Sequence, residues 1–271
     1  DQGLIDGRNE CMKTRFNLSE TDLKEPNIFE IWDLRNANKL AEEDKFLLKK
    51  LNETDLKLNA EPNKISRTER QWIQVEKRLQ GDSKPYIDKD NLLEEMKQWK
   101  FPLHFIDFET SMAALPFVSG MRPYEQTAFQ FSHHVLHESG EIVHHSEFLM
   151  AEPGIFPNFE FVRQLKRAVE NDNGSIFRYH NHEKTVLNQI KTQLAGSNET
   201  DRLELIEFID FIANGEPNDE RMMVDLARVI RDYYYDPATK GSNSLKAYLP
   251  AILSSSQFLK LKYTNPLKIL V

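Results

Sequence analysis

The run Phe101-Pro102-Leu103-His104-Phe105-Ile106-Asp107-Phe108-Glu109-Thr110 constrains the fold of this chain more than any other segment. Its aromatic and β-branched content predicts a strand over 103–110. Alternate side chains of a strand share a face, so Phe105, Asp107 and Glu109 point one way and Ile106 and Phe108 the other. Two carboxylates on one face of an apolar strand require a reason, because burying unpaired charge is costly. Either that face is solvated at the edge of a sheet, or the carboxylates hold a divalent cation. Hard oxygen donors suit Mg²⁺ or Mn²⁺.

The elements around this strand predict a mixed α/β fold. Strands are expected over 127–136 and 141–150, with Glu138-Ser139-Gly140 as the hairpin turn between them. An amphipathic helix follows over 158–169, carrying Phe159, Phe161, Val162, Leu165 and Val169 on one face. A short strand over 174–180, helices over 183–194 and 202–212, and a short strand or turn running into a helix over 222–235 complete the pattern. The result is a mixed sheet with helices on its faces.

Residues 1–83 read as a separate, mostly helical segment. Leucines at 47, 48, 51, 56 and 58 fall at helix-like spacing within 40–58. Ser66 and Glu69 have the spacing of a capping box, ahead of an apolar face at Trp72, Ile73, Val75 and Leu79. The turn cluster Gly81-Asp82-Ser83-Lys84-Pro85 marks the expected boundary, with the α/β domain over 84–271. A helix around 91–99 leads into the first strand.

Aromatic residues make up 10% of the chain, enough for a packed core and too many for a disordered one. No apolar run reaches the roughly 18 residues that a membrane helix needs. Asp1–Asp6 lacks the basic and apolar regions of a signal peptide. The chain opens on Asp1 rather than methionine, which suggests a processed or excised piece. A single cysteine, Cys11, excludes an internal disulfide and any multi-cysteine metal site built by this chain alone. A reducing, cytoplasmic setting is therefore expected. The net charge of −8 argues against a protein that coats nucleic acid non-specifically. It leaves room for an enzyme that grips nucleic acid through a local basic groove and bound metal.

Further acids could join Asp107 and Glu109. Tyr179-His180-Asn181-His182-Glu183 lies at a strand end, where open α/β folds gather their sites, and places Glu183 at a helix start. Asp225, between Val224 and Leu226, is either a fourth carboxylate or a helix cap. His133, His134, His144 and His145 do not make a zinc site, because neighbours on a strand point to opposite faces. His180 and His182 share a face if their strand continues. The lysines at 240, 246, 260, 262 and 268, with Phe258 and Tyr263, could track a nucleic-acid backbone and stack a base, or form a solvated face.

The segment 101–110, with Ala114-Leu115-Pro116-Phe117, Arg122-Pro123-Tyr124-Glu125-Gln126, Phe129–His134, Tyr179–Lys184 and Gly241–Ala251, resembles a bacterial family of uncharacterised RNase H-like domains. That family is grouped with DEDD-type 3′–5′ exonucleases. The resemblance covers roughly residues 84–255. It implies an RNase H-like fold and metal-dependent removal of nucleotides from a 3′ end, with two Mg²⁺ or Mn²⁺ ions as cofactors. The implied partner is single-stranded nucleic acid or the 3′ end of a duplex, and no membrane.

By this resemblance Asp107 would bridge both ions and Glu109 and Glu183 would help hold them. Asp225 would be a further ligand or a supporting acid. Thr110, Asn181, Lys184 and Lys246 are the expected nucleic-acid contacts. His182 stands where the family pattern usually has an aromatic residue, and Glu183 where an Asp is typical.

One motif is missing. DEDD exonucleases place an Asp near the C-terminus, four residues after a Tyr or His, yet no acid follows Asp236 here. Tyr86 and Asp90 have that spacing but precede the first strand. The expectation is a chain cut before the motif. The alternative is a catalytically degenerate nucleic-acid-binding or scaffold domain. Some relatives carry an upstream nuclease-like module with cluster-binding cysteines. Cys11 would be its last ligand if such a module precedes this chain, and otherwise an idle thiol.

Overall fold

A computed structural model describes residues 6–215 and 219–263. The chain forms two compact units. One is continuous, from Leu93 to Arg228, and the other joins the residues up to Leu92 with those from Val229 onward. They are called here the sheet unit and the terminal unit. Among the described residues, no helix is long and apolar enough to cross a membrane.

The terminal unit begins with helices α1 (Gly7–Phe16), α2 (Ala37–Glu42), α3 (Glu53–Leu56) and α4 (Arg67–Gln80). The helical periodicity over 40–58 does not become one helix. Asp44 adopts a left-handed conformation (φ 63°) just past α2, which terminates it. Asn52 then opens α3 through its own capping box. Four of the five leucines still reach the core: Leu47, Leu48, Leu51 and Leu56 are buried, while Leu58 is exposed. In α4 the expected capping box is present. The Ser66 hydroxyl accepts from Glu69 N–H at 3.1 Å, and Glu69 Oε2 accepts from Ser66 N–H at 2.9 Å. The buried face differs from the expected one, since Leu79 is exposed while Arg70, Gln71, Gln74 and Val75 are buried.

Arg70 explains why the expected boundary at 83/84 does not hold. Its guanidinium donates to the carbonyls of Arg231 (3.1 Å) and Tyr234 (2.6 Å), to Asn243 Oδ1 (3.1 Å) and to Tyr248 Oη (2.5 Å). It also stacks over the rings of Trp32 and Tyr235. A buried cation must be satisfied, and the groups that satisfy Arg70 lie more than 160 residues downstream. After α4 come strand β1 (Tyr86–Ile87) and helix α5 (Lys89–Met96), which carries the chain into the sheet unit.

The sheet unit contains β2 (Leu103–Ser111), β3 (Thr127–Leu136), β4 (Ile142–Leu149), α6 (Asn158–Val169), β5 (Ile176–Arg178), α7 (His182–Ala195), α8 (Arg202–Ala213) and β6 (Val224–Asp225). Helix α9 (Leu226–Tyr233) leads back to the terminal unit. There β7 (Tyr234–Tyr235) pairs with β1, and α10 (Leu245–Ser255) and α11 (Gln257–Tyr263) follow. The five-stranded sheet has the order β4-β3-β2-β5-β6. The first three strands are antiparallel, and β5 and β6 run parallel to β2. The expected mixed α/β architecture is thus observed, with β2 as its central strand rather than an edge.

Strand alternation builds the core. Ile106 and Phe108 of β2, Phe131 of β3 and Phe148 of β4 point to one face. Phe161 of α6 meets Phe108, Phe131 and Phe148 edge-on, at ring separations of 4.8, 5.4 and 5.8 Å. Such edge-to-face pairs add to the stabilisation from burial alone. Asn158, fully buried, fixes the start of α6. Its Oδ1 accepts from Ala128 N–H at 2.8 Å and its Nδ2 donates to the Gln126 carbonyl at 2.9 Å.

A polar relay crosses β4, β3 and β2. Ser146 Oγ lies 3.0 Å from His133 Nδ1, His133 Nε2 lies 2.9 Å from His104 Nδ1, and His104 Nε2 lies 2.9 Å from Asp172 Oδ1. The carboxylate can only accept, so His104 carries its proton on Nε2 and accepts at Nδ1. His133 then donates from Nε2 and accepts the Ser146 hydroxyl at Nδ1. The network assigns both tautomers. Gly174 makes room for the chain here: a Cβ at that position would stand 1.9 Å from the Pro102 carbonyl oxygen and 2.8 Å from His104 Nε2.

Candidate active site

β2 presents Asp107 and Glu109 on its exposed face while Phe108 between them is buried, as the alternation predicts. Being central, β2 has neighbours on both sides to complete a site. On one side β5 ends at Arg178, and β6 places Asp225 in register beside it. His180 turns left-handed (φ 69°), so the strand does not continue and His180 and His182 do not line up along it. Helix α7 starts two residues later and brings Glu183 into its first turn.

Glu183 is the unusual member of the group. It is 5% exposed, and its Oε2 is buried without a hydrogen-bond partner. Burial pushes its carboxyl up to about 7. The helix-start backbone amide opposes that shift, the charge of Asp107 adds to it, Arg178 opposes it, and Asp225 adds to it. The charges of Asp107 and Asp225 thus both reach Glu183.

Asp225 is the anchored member. Its Oδ1 accepts from His180 N–H at 2.9 Å and from Ala227 N–H at 3.0 Å, and its Oδ2 lies 3.5 Å from the Arg178 guanidinium. Arg178 also donates to the His180 carbonyl and to Asn181 Oδ1 (3.1 Å), and its Nε is buried without a partner. Asp225 thus caps α9 and holds the turn before α7, the helix-cap alternative left open by the sequence.

The other expected residues divide. Thr110 Oγ1 is 3.4 Å from His182 Nε2, a long contact that ties the end of β2 to the start of α7. Asn181 and Lys184 line a shallow polar depression of about 560 Å³ along α7, together with Thr185 and Asn188. Glu109 shares the face of Asp107, next to a register irregularity between Glu109 and Thr110. Lys246 belongs to the terminal unit, on α10. Phe258 is exposed in α11, with the Lys262 ammonium 6.0 Å from its ring centre. The Tyr263 side chain and Lys268 lie outside the described residues. Cys11 is a free, exposed thiol.

Among the described residues, no three His, Cys, Asp or Glu side chains converge tightly enough to chelate one ion as they stand. The donors nonetheless fit a hard divalent cation. They are carboxylates, two of them exposed along β2, and the third is a buried carboxylate with an orphaned oxygen. A cation at that oxygen would satisfy it and restore its charge at neutral pH.

Sequence reasoning missed two features. Arg178 organises the turn, and its signal was a charged residue closing the apolar run Ile176-Phe177. The His104–His133–Asp172 relay had no sequence signal, because it depends on strand register.

None of the curated proteins and none of the solved structures matches this chain. Residues 104–244, just over half of it, run from the start of β2 past Asp225 to the start of α10 and match the family described as Domain of unknown function (DUF2779), and the chain belongs to that family.

Proposed function

We propose that the sheet unit is an RNase H-like domain that hydrolyses phosphodiester bonds of DNA or RNA from a 3′ end. The observation that carries this reading is Glu183, a buried carboxylate in the first turn of α7 with an unpartnered oxygen, under the influence of Asp107 on the central strand β2 and Asp225 on the edge strand β6. Asp107, Glu109 and Glu183 would hold Mg²⁺ or Mn²⁺. Such ions, when bound, acidify water and neutralise charge on a phosphodiester. Asp225 and Arg178 fix the turn that sets Glu183 at the head of α7. Thr110, Asn181 and Lys184 border the same end of the sheet and supply polar contacts for a sugar–phosphate chain.

A catalytically degenerate nucleic-acid-binding or scaffold domain is the second reading. It is favoured by the Arg178–Asp225 pairing, which occupies one acid. The deciding experiment is Mn²⁺-dependent degradation of 5′-labelled single-stranded DNA and matched RNA, with wild type and Asp107→Asn side by side. A ladder shortening from the 3′ end in wild type alone is the expected result. Equal cleavage by the folded Asp107→Asn variant would falsify the site assignment. Binding without cleavage would establish the second reading.

A further inference from the structure

Strand β4 lies at one edge of the five-stranded sheet, and its free side has an internal symmetry. In an antiparallel ladder, residues alternate between bonding to the neighbouring strand and turning their N–H and C=O away from it. Met150 N–H donates to the Phe129 carbonyl at 2.8 Å. Counting back in twos, Phe148 and Ser146 bond inward to β3, and Leu149 and Glu147 face outward. At the other end, His137 N–H donates to the Glu141 carbonyl at 2.9 Å. Val143 therefore bonds inward, and Ile142 and His144 face outward.

The two halves are out of phase because β4 carries one extra residue, His145, where the register slips between His133 and His134. The outward-bonding positions are consequently 142, 144, 147 and 149, a set symmetric about the 145–146 peptide. The bulge also aligns their side chains. Phe148 and Val143 face the same side as Phe131 and Val135, so Ile142, His144, Glu147 and Leu149 all lie on the opposite, solvent side.

We infer that this edge docks a second copy of the chain by antiparallel β4–β4 addition. The facing pairs are Ile142 with Leu149 and His144 with Glu147, each occurring twice about a two-fold axis. Among antiparallel registers, this is the one that maps the outward-bonding set onto itself, giving about eight backbone hydrogen bonds. The chemistry also matches. Ile142 and Leu149, 55% and 66% exposed, cover each other. His144 and Glu147, which bond within one strand at 3.1 Å, exchange that partner for its equivalent across the axis. A long exposed edge invites pairing, and self-complementarity selects this chain as the occupant.

The test uses the full chain in a Cys11→Ser background. Ile142→Cys and Leu149→Cys proteins are oxidised separately and as an equimolar mixture. In the inferred register the mixture gives a covalent dimer and neither variant does so alone, since like positions stand about seven residues out of register, beyond disulfide reach. Sedimentation velocity on cysteine-bearing wild-type chain should show a dimer. Glu147→Lys should weaken it roughly tenfold, and His144→Glu combined with Glu147→Lys should restore it. A chain that stays monomeric, a mixture that does not cross-link, or a dimer indifferent to Glu147→Lys each overturns the inference. Glu147 is exposed, so circular dichroism will confirm that these variants fold.

Discussion

The Asp225 carboxylate accepts the backbone N–H of His180 at 2.9 Å, so the end of β6 holds the turn that closes β5. That bond requires an acceptor oxygen, not a charge. Asp225→Asn should therefore keep the turn, while Asp225→Ala leaves two amides unmet and costs about 1–3 kcal/mol. Urea unfolding of the two variants without metal checks this. Equal losses would mean that the charge facing Arg178 matters more than the two amide bonds.

Glu183 gives the apo protein a pH dependence of unusual sign. Its folded carboxyl sits at about 7, above its ordinary value of 4.5. The unfolded chain gives up this proton first, so the contribution to stability is fully present below pH 4.5 and is lost as pH rises through 7. The loss is on the order of 3 kcal/mol as an upper bound. Thermal unfolding of wild type and Glu183→Gln from pH 5 to 8 should show the variant gaining relative stability as pH rises. Added Mn²⁺ should raise the wild-type melting temperature most at the upper end of that range and leave Glu183→Gln nearly unchanged. Parallel pH profiles would refute the assignment.

His133 behaves oppositely. Burial, followed by the neighbouring His104, His145 and His134, drives its imidazole down to about 4, with Asp172 opposing. Its folded value lies below its unfolded one, so its contribution to stability is present above about pH 6.5 and is lost as pH falls through 4. Two-dimensional NMR of the imidazole nitrogens at pH 5.5 should find His133 neutral, with its proton on Nε2. A protonated ring at that pH would contradict the relay. His133→Phe, which removes both bonds, should flatten the acid limb of the stability curve.

Phe161 is the keystone of the sheet unit's aromatic core. Phe161→Ala should cost roughly 3–5 kcal/mol in urea unfolding, through lost burial and an unfilled cavity. A loss under about 1 kcal/mol would show that α6 does not pack on β2, β3 and β4 through this ring.

Much of the sheet unit was legible because alternation and amphipathic periodicity are local signals. The sequence placed β2, β3, β4 and α6 nearly to the residue, and it put Glu183 at the head of a helix. It did not foresee that β2 is central, because burial on both sides depends on which strands arrive later. The helical reading of 40–58 holds only in short pieces, because Asp44 enters the left-handed region, a choice that periodicity does not record. His104 and His133 could not be paired in advance, since they are 29 residues apart and meet through register. The domain boundary was misplaced for a similar reason, because the partners of Arg70 lie beyond the whole sheet unit. Of the site, the acids of β2 were readable from their spacing. The burial of Glu183 and the anchoring of Asp225 required the fold.

The discontinuity of the terminal unit has a consequence for synthesis. Its first half leaves the ribosome well before its second, separated by roughly 140 residues of sheet unit. At roughly 5–20 residues per second that is a delay of about ten seconds. During that interval α4 has no downstream carbonyls to receive Arg70. The sheet unit, continuous and complete, can fold as soon as it emerges. Nascent chains halted just after Arg228 should therefore hold a protease-resistant centre behind a cleavable N-terminal stretch, and the terminal unit should close only once Arg231 to Tyr248 have emerged to receive Arg70.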